Sequence, residues 1–369
     1  MKKAIAALLG ISMVISLAAC GGTGSASSES SSVAETSESA SAETSEAATE
    51  EASEAAVTSD LKLAWYAPAP HPYFEEVQKG VEKFAEEQGV EVTIQIGPDW
   101  TQASENEKVE ALVAQGINAI SIYPCDASGA NGLYDEISSA MGVNIVNFGT
   151  DTAAPSKADF AVATDVKQAA YDATEAVIKM MGEKGNILNV LEVLEDPNTA
   201  LRKEGVEECV AKYPDVTIIQ EIAGIKSQEE AVSKIESALS ANVGNIDGIV
   251  CTGLITSVGM SQTLSDYYEK QGADDHIYAI GIDTDEGVMN AIKDGTIDGT
   301  IAQNPLGHGY ISCMLLKYMA EGYQAKEGEY FIDSGAVLVT NENIDTYQND
   351  LDARTTEIVD SLLTVYMEK

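Results

Sequence analysis

From Leu61 onward the chain alternates short apolar runs of strand character with amphipathic helical stretches, and it does so in two successive series. A strand buried on both faces reads as a continuous apolar run, and a parallel neighbour is reached only through a crossover, usually a helix. The alternation therefore restricts the chain to an α/β fold of parallel sheets covered by helices on both faces. The first series predicts strands over 62–66, 91–96, 118–123 and 143–148, with helices over 74–88, 103–115 and 130–141. The second predicts helices over 166–182, 198–213, 227–241, 256–271 and 285–293, with strands over 186–193, 215–222, 246–251, 276–282 and 297–303. Val77, Val81 and Phe84 show the helical spacing, as do Val109, Leu112 and Val113, while Ile277, Ala279, Ile280 and Ile282 read as a doubly buried strand. Gly116, Gly185, Gly272 and Gly295 fall just past helical stretches, where a left-handed cap favours glycine.

The 309 residues from Leu61 to Lys369 are too many for one ordinary domain and suit two. Ligands of doubly wound folds bind beyond the carboxyl ends of the strands, so a site is expected in the strand-end loops of a cleft between two lobes.

Ahead of this region, Lys2 and Lys3 precede 16 largely apolar residues, Ala4 to Ala19, closed by Leu17-Ala18-Ala19-Cys20. That is the layout of a secretory signal, here residues 1–19, and the run is shorter than the roughly 20 residues a spanning helix needs. The tetrapeptide resembles the lipobox of bacterial lipoproteins, which implies cleavage before Cys20 and its acylation. Two acyl chains would hold the protein stably to the bilayer and leave the rest facing outward.

Residues 20–60 read as a disordered tether. From Gly21 to Asp60 there is no aromatic residue, Val33 and Val57 are the only large aliphatics, and nine acidic residues meet no basic one. Such a segment buries too little to offset its ordering entropy and extends by self-repulsion.

The formal charge is −39, and removing Lys2 and Lys3 leaves 19 basic against 60 acidic residues, or −41. Nucleic acid is a poor partner for such a chain, because neutralising phosphates takes Lys and Arg clusters. Cys125, Cys209, Cys251 and Cys313 are widely and irregularly spaced, match no zinc or redox motif and read as free core thiols. His71, His276 and His308 lack metal-ligand spacing, and no phosphate-cradling or nucleophile-elbow glycine pattern occurs at a strand-to-helix turn. Neither a cofactor nor catalysis is expected.

Several strand-end side chains remain as candidates. Tyr73 and Phe74 follow the proline-rich segment Ala67 to Pro72 and offer aromatic faces, with His71 beside them and Trp100 after the second strand. Arg202, one of only two arginines, offers a planar fork for hydroxyls or a carboxylate. Asp283 and Gln303 end apolar runs with hydrogen-bonding groups, although Asp283 equally suits an N-cap before the next helix.

Taken together, the lipobox, the spacer, Tyr73-Phe74, Ile282-Asp283 with Gly287, and Thr300-Ile301-Ala302-Gln303 resemble a sugar-type periplasmic solute-binding protein of an ABC importer. The chain is similar to ribose- and galactose-binding proteins of the type I fold, whose core is shared with the ligand-binding half of LacI-type repressors. The resemblance implies two lobes, 61–164 plus 304–334 and 165–303 plus 335–369, joined by a three-segment hinge near Thr164 to Val166, Gln303 to Pro305 and Asp333 to Ala336. It implies stacking on Tyr73 and Phe74, a hydroxyl clamp at Arg202, and hydrogen bonds from Asp283 and Gln303. The ribose binders it resembles carry an Asp-Arg pair where this chain has Phe148-Gly149-Thr150-Asp151, and an Asn-Asp pair where it has Thr252-Gly253-Leu254. Asp151 and Thr252 thus enter as displaced candidates. The expected protein is a monomer outside the cell, anchored to the membrane bilayer through Cys20, that gives a small neutral polar ligand to an ABC permease. Competing readings are a receptor for a sensor kinase or chemoreceptor, a nucleoside-binding lipoprotein and an exported hydrolase.

Overall fold

Each half of the chain builds its own six-stranded sheet in the computed structural model, which describes residues 60–194, 196–271 and 276–369. The expected signal peptide, Cys20, nearly all of the tether and the cap at Gly272 lie outside the described residues. The first half runs β1 (Leu63–Ala67), α1 (Pro72–Gln88), β2 (Val92–Ile96), α2 (Gln102–Ala114), β3 (Ala119–Ile122), α3 (Ala130–Met141), β4 (Asn144–Phe148) and β5 (Phe160–Ala163). The second runs α4 (Val166–Met180), β6 (Gly185–Val190), α5 (Pro197–Val210), β7 (Val216–Ile222), α6 (Gln228–Ala241), β8 (Gly248–Cys251), α7 (Leu254–Gln271), β9 (Tyr278–Ile282), α8 (Glu286–Lys293) and β10 (Gly299–Gln303). The remainder supplies α9 (Pro305–Ala320), β11 (Gln324–Ala325), β12 (Phe331–Asp333), β13 (Ala336–Val339), α10 (Tyr347–Ser361) and β14 (Met367–Glu368).

The first sheet has the order β12-β5-β4-β3-β1-β2 and is parallel throughout; the second is β13-β10-β9-β8-β6-β7, parallel except for the antiparallel edge strand β13. In both, the winding reverses beside the first strand, between β1 and β3 and between β6 and β8. A crevice therefore opens at the carboxyl ends of those strands. Each sheet is covered on both faces: in the first, Trp65 and Phe148 pack with Phe84 of α1 and Leu315 of α9, and Ile120 and Ile145 pack with Tyr134 of α3 on the opposite face. Side chains of Thr101, Asp165, Ser227, Asp285 and Asn304 accept backbone N–H groups at the starts of their helices, which fixes where the strand-end loops finish. The four cysteines after Cys20 are free thiols.

The chain passes between the sheets at Thr164–Asp165, at Asn304 and at Ser334–Gly335. Among the elements that escape the sequence reading, two are instructive. β5 is only four residues long, and α9 is buried at ten successive positions, Gly307 to Leu316. A helix covered all round has no polar face to set a 3.6-residue period. Strand β6 also ends at Val190, three residues before the expected 193, and releases Glu192 into the crevice loop. The tail, expected on the second lobe, divides between the two cores: Ile344 and Leu351 join the second, whereas Ile358, Leu362 and Met367 join the first. Val365 is 46% exposed, because a π-helical turn at Leu362–Tyr366 rotates the last turn out of the α-helical phase.

Candidate functional site

The first lobe contributes rings. The stretch before α1 places Tyr73 and Phe74 on the first turn, β2 is followed by Trp100, and Tyr123 lies just past the end of β3. Phe74 is the hub, with ring centroids 5.2 Å from Tyr73, 5.2 Å from Trp100 and 5.1 Å from Tyr123. Its own ring is almost wholly covered, so the accessible faces belong to partly buried Tyr73 and to Trp100, which is 45% exposed. His71 serves as the N-cap of α1, its Nδ1 accepting the Tyr73 N–H at 3.1 Å, and its ring meets Trp100 edge-on.

Tyr73 is held by two further constraints. Its hydroxyl is 2.8 Å from His308 Nδ1. A Cβ on Gly149, whose φ is +73°, would stand 2.2 Å from that oxygen, so the left-handed backbone and the ring both require glycine there.

The second lobe contributes polar groups. Arg202, in the first half of α5, is only 8% exposed, and its Nε has no hydrogen-bond partner among the described residues. Asp283 follows β9 with φ +74°, a conformation that Asp tolerates better than most residues and that often marks a functional position. Gln303 Nε2 donates to Asp283 Oδ1, and Thr300 Oγ1 donates to the Asp283 carbonyl at 2.7 Å. The cap of α8 falls to Asp285, whose carboxylate accepts the Gly287 N–H at 2.7 Å, so the Asp283 side chain remains for the crevice. Glu192 accepts the Ile255 N–H at 3.0 Å; burial pushes its carboxyl pKa up, and the Arg202 charge opposes that rise.

These two sets act on each other. Burial, then the neighbouring Tyr123 and Asp283, push the Tyr73 phenol well above its ordinary pKa. Burial pushes Tyr123 up to about 12, with Asp196 adding to the rise and Arg202 opposing it. The structure thus brings together Tyr73, Phe74, Trp100, Arg202, Asp283 and Gln303. Asp151 and Thr252 are engaged within their own lobes. Asp151 accepts from the Tyr330 hydroxyl within the first lobe, and buried Thr252 hydrogen-bonds back to the Val190 carbonyl. Tyr123, Glu192 and His308 were missed by sequence reasoning. Tyr123 and Glu192 carried a usable signal, since both sit where a strand ends.

His308 also gives the site a pH signature. Burial lowers its imidazole to about 3, whereas an unfolded histidine protonates near pH 6.5. Between these values the unfolded chain takes up a proton that the folded one refuses, so this contribution rises with pH and is lost as pH falls below 6.5. Buried Glu105 and Asp159, raised by desolvation, have the opposite sign and lose their contribution as pH rises through their folded values. The unfolding free-energy difference between wild type and His308→Asn should therefore narrow by roughly 1 kcal/mol per pH unit below 6.5. Parallel pH profiles from denaturant titrations would refute it.

Two lobes that each present half of one crevice, joined by three strands of chain, define a hinged binding protein. Residues 66–324 match the periplasmic binding protein domain, and the chain belongs to that family. It is 24% identical over 282 residues to the xylitol-binding protein of Mycolicibacterium smegmatis, covering 74% of this chain and 75% of that one. It is 24% identical to the D-apiose import binding protein of Actinobacillus succinogenes, covering 74% and 86%. The sugar-binding protein of a sugar ABC transporter from Bacillus halodurans superimposes with a TM-score of 0.70 at 22% identity, over 78% of this chain and 99% of that one.

Proposed function

We propose that the chain is an extracytoplasmic receptor, held to the membrane through acylated Cys20, that captures a small neutral monosaccharide or polyol and delivers it unaltered to an ABC permease. The observation carrying this reading is the pairing of an aromatic platform in one lobe with Arg202, Asp283 and Gln303 in the other. Sugars and polyols offer C–H faces to rings and hydroxyls to such groups, and each hydroxyl left unpaired in a closed cleft costs about 1–3 kcal/mol. The names of the xylitol and D-apiose relatives support the same ligand class. A ligand touching both lobes binds the closed form better than the open one, and that difference drives closure. Residues 61–164 with 304–334 would move against 165–303 with 335 onward, with α10 spanning the division.

A thermal-shift panel of xylitol, D-apiose, D-ribose, D-arabinose, myo-inositol and adenosine on the purified chain tests the reading. A ligand at a hundredfold its dissociation constant adds about 2.7 kcal/mol, a rise of several degrees. In parallel, Cys20→Ser should release the protein from the membrane fraction. Response to adenosine alone, or to no compound, would sink the sugar reading, and membrane retention of Cys20→Ser would sink the anchor.

A further inference from the structure

We infer that His308 is a positioning residue that ties the Tyr73 ring to the hinge, so that the pocket and the three crossings between the lobes form one hydrogen-bonded unit. His308 lies on α9 and is 1% exposed. Its Nδ1 is 2.8 Å from the Tyr73 hydroxyl and its Nε2 is 2.7 Å from Ser334 Oγ. A neutral imidazole has one donor and one acceptor nitrogen, and both of its partners are hydroxyls that can donate or accept, so the bridge is satisfied in either tautomer.

Ser334 belongs to the third crossing, and from it the bonding spreads to the other two. Its carbonyl accepts from Asn304 Nδ2 of the second crossing at 3.0 Å. Its N–H donates to the Ala163 carbonyl at 2.9 Å, at the edge of the first crossing. The adjacent Asp333 carboxylate accepts the Asp165 N–H and the Gly335 N–H, each at 3.0 Å. Asn304 Nδ2 also donates to Thr355 Oγ1 of α10 at 2.9 Å, which brings the spanning helix into the same network. Ser334, Asn304 and Thr355 are all buried, so each broken bond leaves a polar group without water.

The far end of the bridge is equally constrained. With the Tyr73 hydroxyl seated over Gly149, the ring has no free rotation to absorb a shift of Ser334. A change of hinge angle that moves Ser334 must therefore move His308 and then Tyr73, and a ligand that fixes Tyr73 biases the hinge. Ring stacking alone does not provide this. Phe74 and Trp100 touch other rings and, among the described residues, make no side-chain hydrogen bond to a crossing.

Hydrogen exchange of the hinge amides in the full chain, with no ligand present, tests the bridge independently of what the pocket binds. Tyr73→Phe, which deletes one hydroxyl, should speed exchange of the Asp165 and Gly335 amides at least fivefold. Tyr330→Phe deletes a hydroxyl bonded to Asp151 and Ser156 inside the first lobe and should leave both amides unchanged. Ser334→Ala should reproduce the Tyr73→Phe effect, and the double variant should exceed the larger single effect by less than twofold, because both cuts sever one chain. Unchanged hinge exchange in Tyr73→Phe overturns the inference, as do an equal effect of Tyr330→Phe and independent, multiplying effects of the two cuts. A silent thermal-shift panel beside a positive exchange result would refute the sugar reading and leave the bridge standing.

Discussion

Arg202→Ala should raise the dissociation constant for the best sugar or polyol at least a hundredfold, measured by calorimetry, while the unliganded protein melts within a few degrees of wild type. Hydrogen bonds to a charged group contribute about 1.5–3 kcal/mol each, and a tenfold change in affinity is 1.4 kcal/mol, so loss of two such bonds is enough. The unliganded protein should tolerate the change because the Arg202 Nε has no partner among the described residues. Arg202→Lys should recover only part of the affinity, since an ammonium keeps the charge but lacks the planar fork. Unaltered affinity in the alanine variant would put the pocket elsewhere.

The largest loss of stability is expected from Gly309→Val. Helices α1 and α9 cross closely because glycine stands on both: a Cβ at Gly309 would meet the Val77 carbonyl oxygen at 2.1 Å, and one at Gly80 would meet the Leu306 carbonyl oxygen at 2.0 Å. Backbone atoms cannot swing aside as a side-chain tip can, so the helices must separate and the core above β1, β3 and β4 must loosen. Overpacking costs about 1–3 kcal/mol in ordinary cores; a clash of backbone and a β-branched side chain belongs at or above the top of that range. A fall in melting temperature of roughly 6–12 °C follows. Gly132→Ala in α3 is the matched control, since its Cβ meets nothing within 4 Å. There the substitution should raise stability by about 0.4–1 kcal/mol, through the restricted unfolded chain. Similar melting curves for both variants would show that the crossing is not the constraint proposed.

The alternation of apolar strands and amphipathic helices was legible because doubly buried parallel strands and half-buried helices each leave a periodic trace. Every element from β1 to β10 except β5 follows that trace, α1 and β9 among them. The trace vanishes where burial is complete, as on α9, or where a strand is as short as β5. In the candidate site, residues that end a strand, such as Asp283 and Gln303, stood out. Glu192 was hidden by a strand boundary placed three residues late, and Tyr123 by counting it as the last residue of β3. His308 gave no sign, because its partners Tyr73 and Ser334 lie 235 and 26 residues away in the chain.

By itself, then, the sequence determined the two-lobed α/β architecture and the strand ends where a pocket would form, because periodicity and strand termination are local properties of the chain. Tertiary structure alone decided that His71 caps a helix, that Asp151 and Thr252 hydrogen-bond within their own lobes, that Asp283 is left for the crevice, and that the tail returns to the first lobe. Those outcomes depend on which hydrogen-bond partners long-range folding delivers, and no local pattern records them.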